Sequence, residues 1–149
     1  MTASFFVDTN IPVYFRDATE PEKQKRAQEW LEHLWRSKSG KLSYQVLNEY
    51  YVTVTRKLKP GLSPQLAMED IRALITWEPI AIDRLVMENS WSIQERFGFS
   101  WWDSLIVAAA QILNCDFLLS EDLQHQQQID ELTIINPFFC SHTDKSTFK

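Results

Sequence analysis

Glycine is scarce in this chain, with three among 149 residues. Phosphate-cradling loops of the dinucleotide and nucleoside-triphosphate types place several glycines close together so that backbone amides can approach the ligand, and three scattered glycines exclude both. Cysteine is scarcer: Cys115 and Cys140 are the two in the sequence, too few and too far apart for a metal knuckle. The simplest expectation is a reduced, cytoplasmic protein. No apolar run approaches the roughly 20 residues that cross a bilayer, so no membrane is expected as a partner. The first seven residues carry no basic side chain and meet Asp8, unlike a secretory leader. His33, His125 and His142 are scattered without the fixed spacing of a metal-ligand set, and each is read as a surface or packing residue.

What is plentiful is aromatic and aliphatic. Nine Phe, six Trp and four Tyr, within a hydrophobic share of 44%, are incompatible with a disordered chain. A chain of this length buries about two thirds of its unfolded surface, so one domain spanning residues 1–149 is expected. The net charge is −5, unevenly spread. Between Arg16 and Lys59 lie ten basic and six acidic residues, while the remainder is strongly acidic. Such asymmetry suits one face that meets phosphates, though solvated helix faces produce it as well.

Short apolar runs alternate with helical periodicities. Ser4–Val7, Lys41–Ser43, Pro79–Ile82, Asp116–Leu119 and Thr133–Ile135 read as strands. Pro21–Ser37 reads as an amphipathic helix that places Trp30, Leu31, Leu34 and Trp35 on one face, with Gly40 as its stop. Further helices are expected over Tyr44–Leu58, from Ser63-Pro64 through Ile75, and from an Asp83 cap to Phe97 with Gly98 as its stop. Ser100-Trp101-Trp102-Asp103 resembles a capping box ahead of the apolar helix Leu105–Leu113. Gln126–Gln128 reads as loop, and the tail after Phe139 shows no pattern. The alternation predicts an α/β fold with a mostly parallel sheet, in which ligands gather at the carboxyl ends of the strands.

Four acids draw attention at that edge. Asp8 follows the first strand directly, and Asp122 comes just after the strand ending at Leu119. Asp103 opens a helix, and Glu49 sits within one among Val46, Leu47, Tyr50 and Tyr51. Taken singly, each has a plainer role: a turn, a cap, a helix-end charge or an exposed surface acid. Charges embedded in apolar sequence, as at Glu49 and at Trp101-Trp102-Asp103, nevertheless need partners. Carboxylates brought into one cleft repel one another and raise each other's pKa values. A hard divalent cation such as Mg²⁺ or Mn²⁺ relieves that conflict and points to phosphate-bearing substrates.

Val7-Asp8-Thr9-Asn10, Leu47-Asn48-Glu49, Ser100-Trp101-Trp102-Asp103-Ser104-Leu105-Ile106 and Leu119-Ser120-Glu121-Asp122-Leu123-Gln124-His125, in that order, resemble the PIN-domain ribonuclease family. The branch they resemble is that of the VapC-type toxins of bacterial toxin–antitoxin pairs. The likeness runs from about Ser4 to Phe138. It implies a three-layer α/β/α architecture and a Mg²⁺-dependent endoribonuclease, with Mn²⁺ as an alternative ion. It implies an acidic pocket of Asp8, Glu49, Asp103 and Asp122. Asp8 and Asp103 would be the direct metal ligands, Glu49 and Asp122 would act on a second ion or through water, and Asn10 and Ser120 would support the pocket. It also implies a homodimer restrained by a cognate antitoxin whose C-terminal segment lies in the active-site groove. The nucleophile would be water, with Glu49 or Asp122 orienting or deprotonating it, so products would carry 5′-phosphates. Gln126-Gln127-Gln128 departs from the glycine frequent in this branch, and Glu121 adds a fifth acid.

Two other readings compete. A non-catalytic PIN-like scaffold for RNA or protein would keep the fold without the chemistry. An aspartyl-phosphate enzyme would use Asp8 as nucleophile, but Asn10 stands where haloacid-dehalogenase-like enzymes place a second Asp, and no Lys closely follows Leu119 or Ile135, as receiver domains require. For substrate, Arg16, Lys23, Lys25, Arg26, Arg36, Lys38 and Lys41 are expected as a local basic rim. Trp101 and Trp102 are expected to serve packing in the core or a dimer rather than base stacking.

Overall fold

The computed structural model describes residues 2–144 and 146–148. Strands β1 (Phe5–Val7), β2 (Gly40–Lys41), β3 (Phe117–Leu119), β4 (Gln128–Ile129) and β5 (Leu132–Ile135) form one sheet in the order β2-β1-β3-β5-β4. All pairings are parallel except β4–β5. The helices are α1 (Asn10–Phe15), α2 (Pro21–Ser37), α3 (Tyr44–Val52), α4 (Pro64–Ile75), α5 (Arg84–Phe97) and α6 (Trp101–Ile112).

The central strands β1, β3 and β5 are largely buried on both faces, which is why they read as mostly apolar runs. Alternate residues feed opposite cores. Phe6, Leu118 and Ile134 join Val46, Leu47, Val86 and the apolar side of α6 on one face. Phe5, Val7, Leu119 and Ile135 join Ile11, Trp30 and Leu34 on the other. The result is three layers, helices on both sides of a mostly parallel sheet, as expected. A smaller cluster of Tyr50, Val54 and Ala67 holds α3 to α4.

Local chemistry sets most helix boundaries. Ser43, Ser63, Asp83 and Ser100 each accept a hydrogen bond from a backbone amide three residues on, and Gly98 closes α5 in the left-handed conformation with φ 71°. Five expectations are adjusted. The expected strand Pro79–Ile82 is reduced to one bridge, Ser43 to Ile80, and the expected Lys41–Ser43 strand is Gly40–Lys41. The expected helix Tyr44–Leu58 leaves α-geometry after Val52 and finishes as a π-helical turn, Thr53–Lys57. Helix α6 begins at Trp101 rather than Leu105, because the Ser100 cap supplies its start. Gln128 is not loop but part of β4. The short β4–β5 hairpin turns at Asp130, which takes a positive φ of 58° in place of the glycine that usually marks such a turn.

Candidate active site

The chain leaves β1 toward β2 on one side and returns as β3 on the other, so strand order reverses between β1 and β3. At such a switch point the strand ends part and leave a crevice. The register sets Val7 opposite Leu119, so Asp8 and Ser120 emerge there side by side. The Asp8 amide donates to the Leu119 carbonyl at 3.0 Å, and the Ser120 amide to that of Ile135 at 3.0 Å.

Asp8 is 4% exposed. Its Oδ2 accepts the Ser120 hydroxyl at 2.8 Å, and its Oδ1 the Thr9 amide at 2.7 Å. Burial pushes its pKa up to about 7 despite the opposing pull of those two bonds, and the charges of Asp122 and Asp103 push the same way. The Ser120 oxygen also accepts the Asp122 amide at 3.1 Å, so one hydroxyl brackets both acids. Asp122 in turn accepts Asn10 Nδ2 at 3.0 Å.

Asp103 comes from the first turn of α6, its amide donating to Ser100 Oγ at 3.1 Å. Burial and then the neighbouring Asp122 raise its pKa, the Ser100 bond lowers it, and Glu49 adds a further rise. One carboxylate oxygen from each of Asp8, Asp103 and Asp122 lies within 4.8 Å of the other two.

Glu49 stands beside this trio, tied to it by two residues that sequence reading passed over. Thr9 Oγ1 donates to Glu49 Oε2 at 3.1 Å, and Gln45 Nε2 to Glu49 Oε1 at 2.7 Å. Gln45 also donates to the Trp102 carbonyl at 3.2 Å, which links α3 to the start of α6. Gln45 lies four residues before Glu49 on one helix, a spacing that signals contact. Thr9 gives no such signal, since a threonine beside a turn aspartate is ordinary.

The remaining candidates fall elsewhere. Glu121 turns away from the trio: it accepts the Tyr14 hydroxyl at 2.6 Å and Lys23 Nζ at 2.8 Å, and that carboxylate lifts the Lys23 pKa to about 12. Arg16 is committed to Asp70 through two hydrogen bonds, at 2.9 and 2.6 Å. Arg16 and Lys23 are therefore engaged internally and are poor members of a phosphate-binding rim. The histidines pack, as expected: His33 stacks on His142 at 4.3 Å beside Trp30, and His125 Nδ1 accepts the Asn136 amide at 2.9 Å.

The donor set fits a hard divalent cation. It is made of carboxylate oxygens without His or Cys. Among the described residues no Lys or Arg pairs with any of the four acids. Asn10 Oδ1 and Gln45 Oε1, on the two amides that brace Asp122 and Glu49, are buried without a hydrogen-bond partner. Oxygen-rich, cation-poor surroundings of this kind favour Mg²⁺ or Mn²⁺ over softer metals.

Comparison with solved structures finds the same architecture. A toxin–antitoxin complex from Klebsiella pneumoniae aligns with a TM-score of 0.65 at 19% identity, covering 91% of this chain and 98% of that one. Mycobacterium tuberculosis VapC20, described as a sarcin–ricin-loop-cleaving toxin, aligns at 0.58 and 21% identity over 80% and 92% of the two chains. VapBC2 of Rickettsia felis, solved with a fragment of promoter DNA, aligns at 0.56 and 18% identity over 87% and 96%. No curated protein sequence matches the chain. The PIN domain model matches residues 5–132, so the five-stranded sheet, up to the start of β5, and its carboxylate-lined switch point belong to a member of the PIN domain family.

Proposed function

We propose that this protein is a divalent-cation-dependent endoribonuclease acting as the toxin of a type II toxin–antitoxin pair. The observation that carries the reading is the convergence of Asp8, Asp103 and Asp122 within 4.8 Å at the switch point of a PIN-domain sheet. Family membership supports nuclease chemistry. Structural neighbours described as a toxin–antitoxin complex and as a sarcin–ricin-loop-cleaving toxin support the biological setting and the antitoxin partner. Exposed Leu85 and Trp91 on α5 are surface that a homodimer can cover. Among the described residues no helix is long and apolar enough to cross a membrane, in keeping with the proposed cytoplasmic site of action.

In this reading Asp8 and Asp103 would hold the ion directly, and Asp122 and Glu49 would act through water or on a second ion. When bound, the ion supplies positive charge that polarises the scissile phosphate and makes water a stronger nucleophile. Ser120 and Asn10 fix the Asp8 and Asp122 carboxylates, so little reorganisation is needed when substrate arrives. Asp8 surrenders the proton that burial favours before it can act as a ligand. Glu49 or Asp122 accepts the proton of the attacking water, with Thr9 and Gln45 orienting Glu49.

The test is incubation of the partner-free protein with total RNA and Mg²⁺, with mapping of the cut ends. Discrete sites bearing 5′-phosphates, absent with Asp103→Asn, are expected. Ends bearing 2′,3′-cyclic phosphate would replace water with the ribose 2′-hydroxyl as nucleophile, and no cleavage by the wild type would favour the scaffold reading.

A further inference from the structure

A groove of about 820 Å³ opens directly beside Glu49, within the size range of ligand pockets. Trp102, Tyr44, Val52, Asn48 and Lys57 share its lining with that acid. Trp102 immediately precedes Asp103, yet its side chain is 62% exposed, and Tyr44 is 42% exposed. Its neighbour Trp101 shows the alternative: that ring packs against the core and stacks on Trp91 at a centroid distance of 5.9 Å. The start of α6 thus commits one indole to packing and leaves the next facing the groove. Lys57 makes no ion pair among the described residues.

We infer that this groove is a nucleobase subsite, in which an unpaired base of an RNA strand stacks on Trp102 while Lys57 meets a nearby phosphate. The inference rests on the ribonuclease reading and adds to it the place where a base is held and the side chains that hold it. An aromatic face with a cation close by is the combination that single-stranded nucleic acid binds. Duplex RNA keeps its base faces stacked and cannot offer one. An apolar peptide is the poorer occupant, since it would strip water from Asn48, Glu49 and Lys57 without replacing their hydrogen bonds. Because Glu49 lines the groove and Trp102 adjoins Asp103, a base held there places the adjoining phosphodiester at the acidic centre.

The experiment measures fluorescence anisotropy of a labelled 12-nucleotide oligouridylate in EDTA, with wild type, Trp102→Ala, Trp102→Phe and Lys57→Ala. Sedimentation mass and steady-state cleavage in Mg²⁺ or Mn²⁺ accompany it. Trp102→Ala is expected to weaken binding about tenfold or more, and Trp102→Phe to recover most of the loss. Lys57→Ala is expected to lower the slope of log affinity against log salt by about 0.7. A matching duplex is expected to bind more weakly than the single strand. Affinity and KM unmoved by Trp102→Ala, in a wild type that still cleaves RNA, would overturn the subsite and leave the nuclease reading intact. Binding that depends on Trp102, in a wild type that cleaves nothing, would do the reverse. A change of oligomeric mass in Trp102→Ala, or no RNA binding by the wild type, would overturn the subsite, the former assigning the face to a second copy of the chain.

Discussion

Asp8 is costly to fold without a cation. In the unfolded chain it loses its proton near the ordinary aspartate value of 3.8, whereas in the folded protein burial moves that loss to about 7. Between those values the native state binds more protons than the unfolded state, so stability falls as pH rises across the window and levels off above it. Below about pH 4 both states are protonated and Asp8 contributes nothing. Asp8→Asn removes this dependence. It is expected to raise the Tm of the metal-free protein at pH 8 on the order of 5–10 °C, with little effect at pH 4, and to abolish cleavage. Thermal scans of both proteins across that range check it, and an Asp8→Asn protein less stable than wild type at pH 8 would contradict it. At subsaturating Mg²⁺, wild-type cleavage is expected to rise with pH through about 7, because ion and proton compete for the same carboxylate.

At the scale of elements, the loop after β3 is held from two sides. Ser120 anchors Asp122 on the sheet side, while Glu121 reaches Tyr14 on α1 and Lys23 on α2. Adjacent acids therefore have opposite tasks. Glu121→Gln loses a partly exposed ion pair worth about 1 kcal/mol or less and is expected to leave cleavage within about twofold of wild type. Asp122→Asn is expected to cost about a hundredfold in kcat. Equal losses in the two variants would place Glu121 in the acidic centre after all. Strands β1, β3 and β5 were legible because each is a short, mostly apolar run ending at a polar residue, and the Ser and Asp caps marked their helices directly. The β4–β5 hairpin was hidden because Asp130 supplies its left-handed turn without glycine. The π turn after Val52 was hidden because Thr53–Lys57 continues an apolar pattern that an α-helix would satisfy equally well. Asp8, Asp103 and Asp122 could be suspected from sequence since each sits where a strand or cap ends. Gln45 carried a signal in its four-residue spacing from Glu49, although its bond to a backbone carbonyl on another helix did not show; Thr9 carried none, since its partner lies 40 residues away along the chain.

Across the whole molecule, two cores grip opposite faces of one sheet and leave its carboxyl edge open. The tail contributes to the second core: Phe148 meets Phe5, Trp30 and Phe117 at centroid distances of 5.6, 5.5 and 5.2 Å, and Trp30 Nε1 donates to the Cys140 carbonyl at 3.1 Å. Phe148→Ala is expected to destabilise by about 1–3 kcal/mol and to leave kcat unchanged, read by urea denaturation alongside cleavage. A loss of activity in the folded variant would contradict the separation of tail from site. The net charge of −5, with Arg16 and Lys23 paired internally, weakens bulk attraction for a polyanion, so in the proposed reading a bound ion would supply positive charge at the centre. That dependence makes calorimetric titration of Mn²⁺ into wild type and Asp103→Asn at pH 8 the most direct measurement. Saturable binding by the wild type, lost or weakened at least tenfold in the variant, is the predicted result, and equal weak binding by both would contradict it.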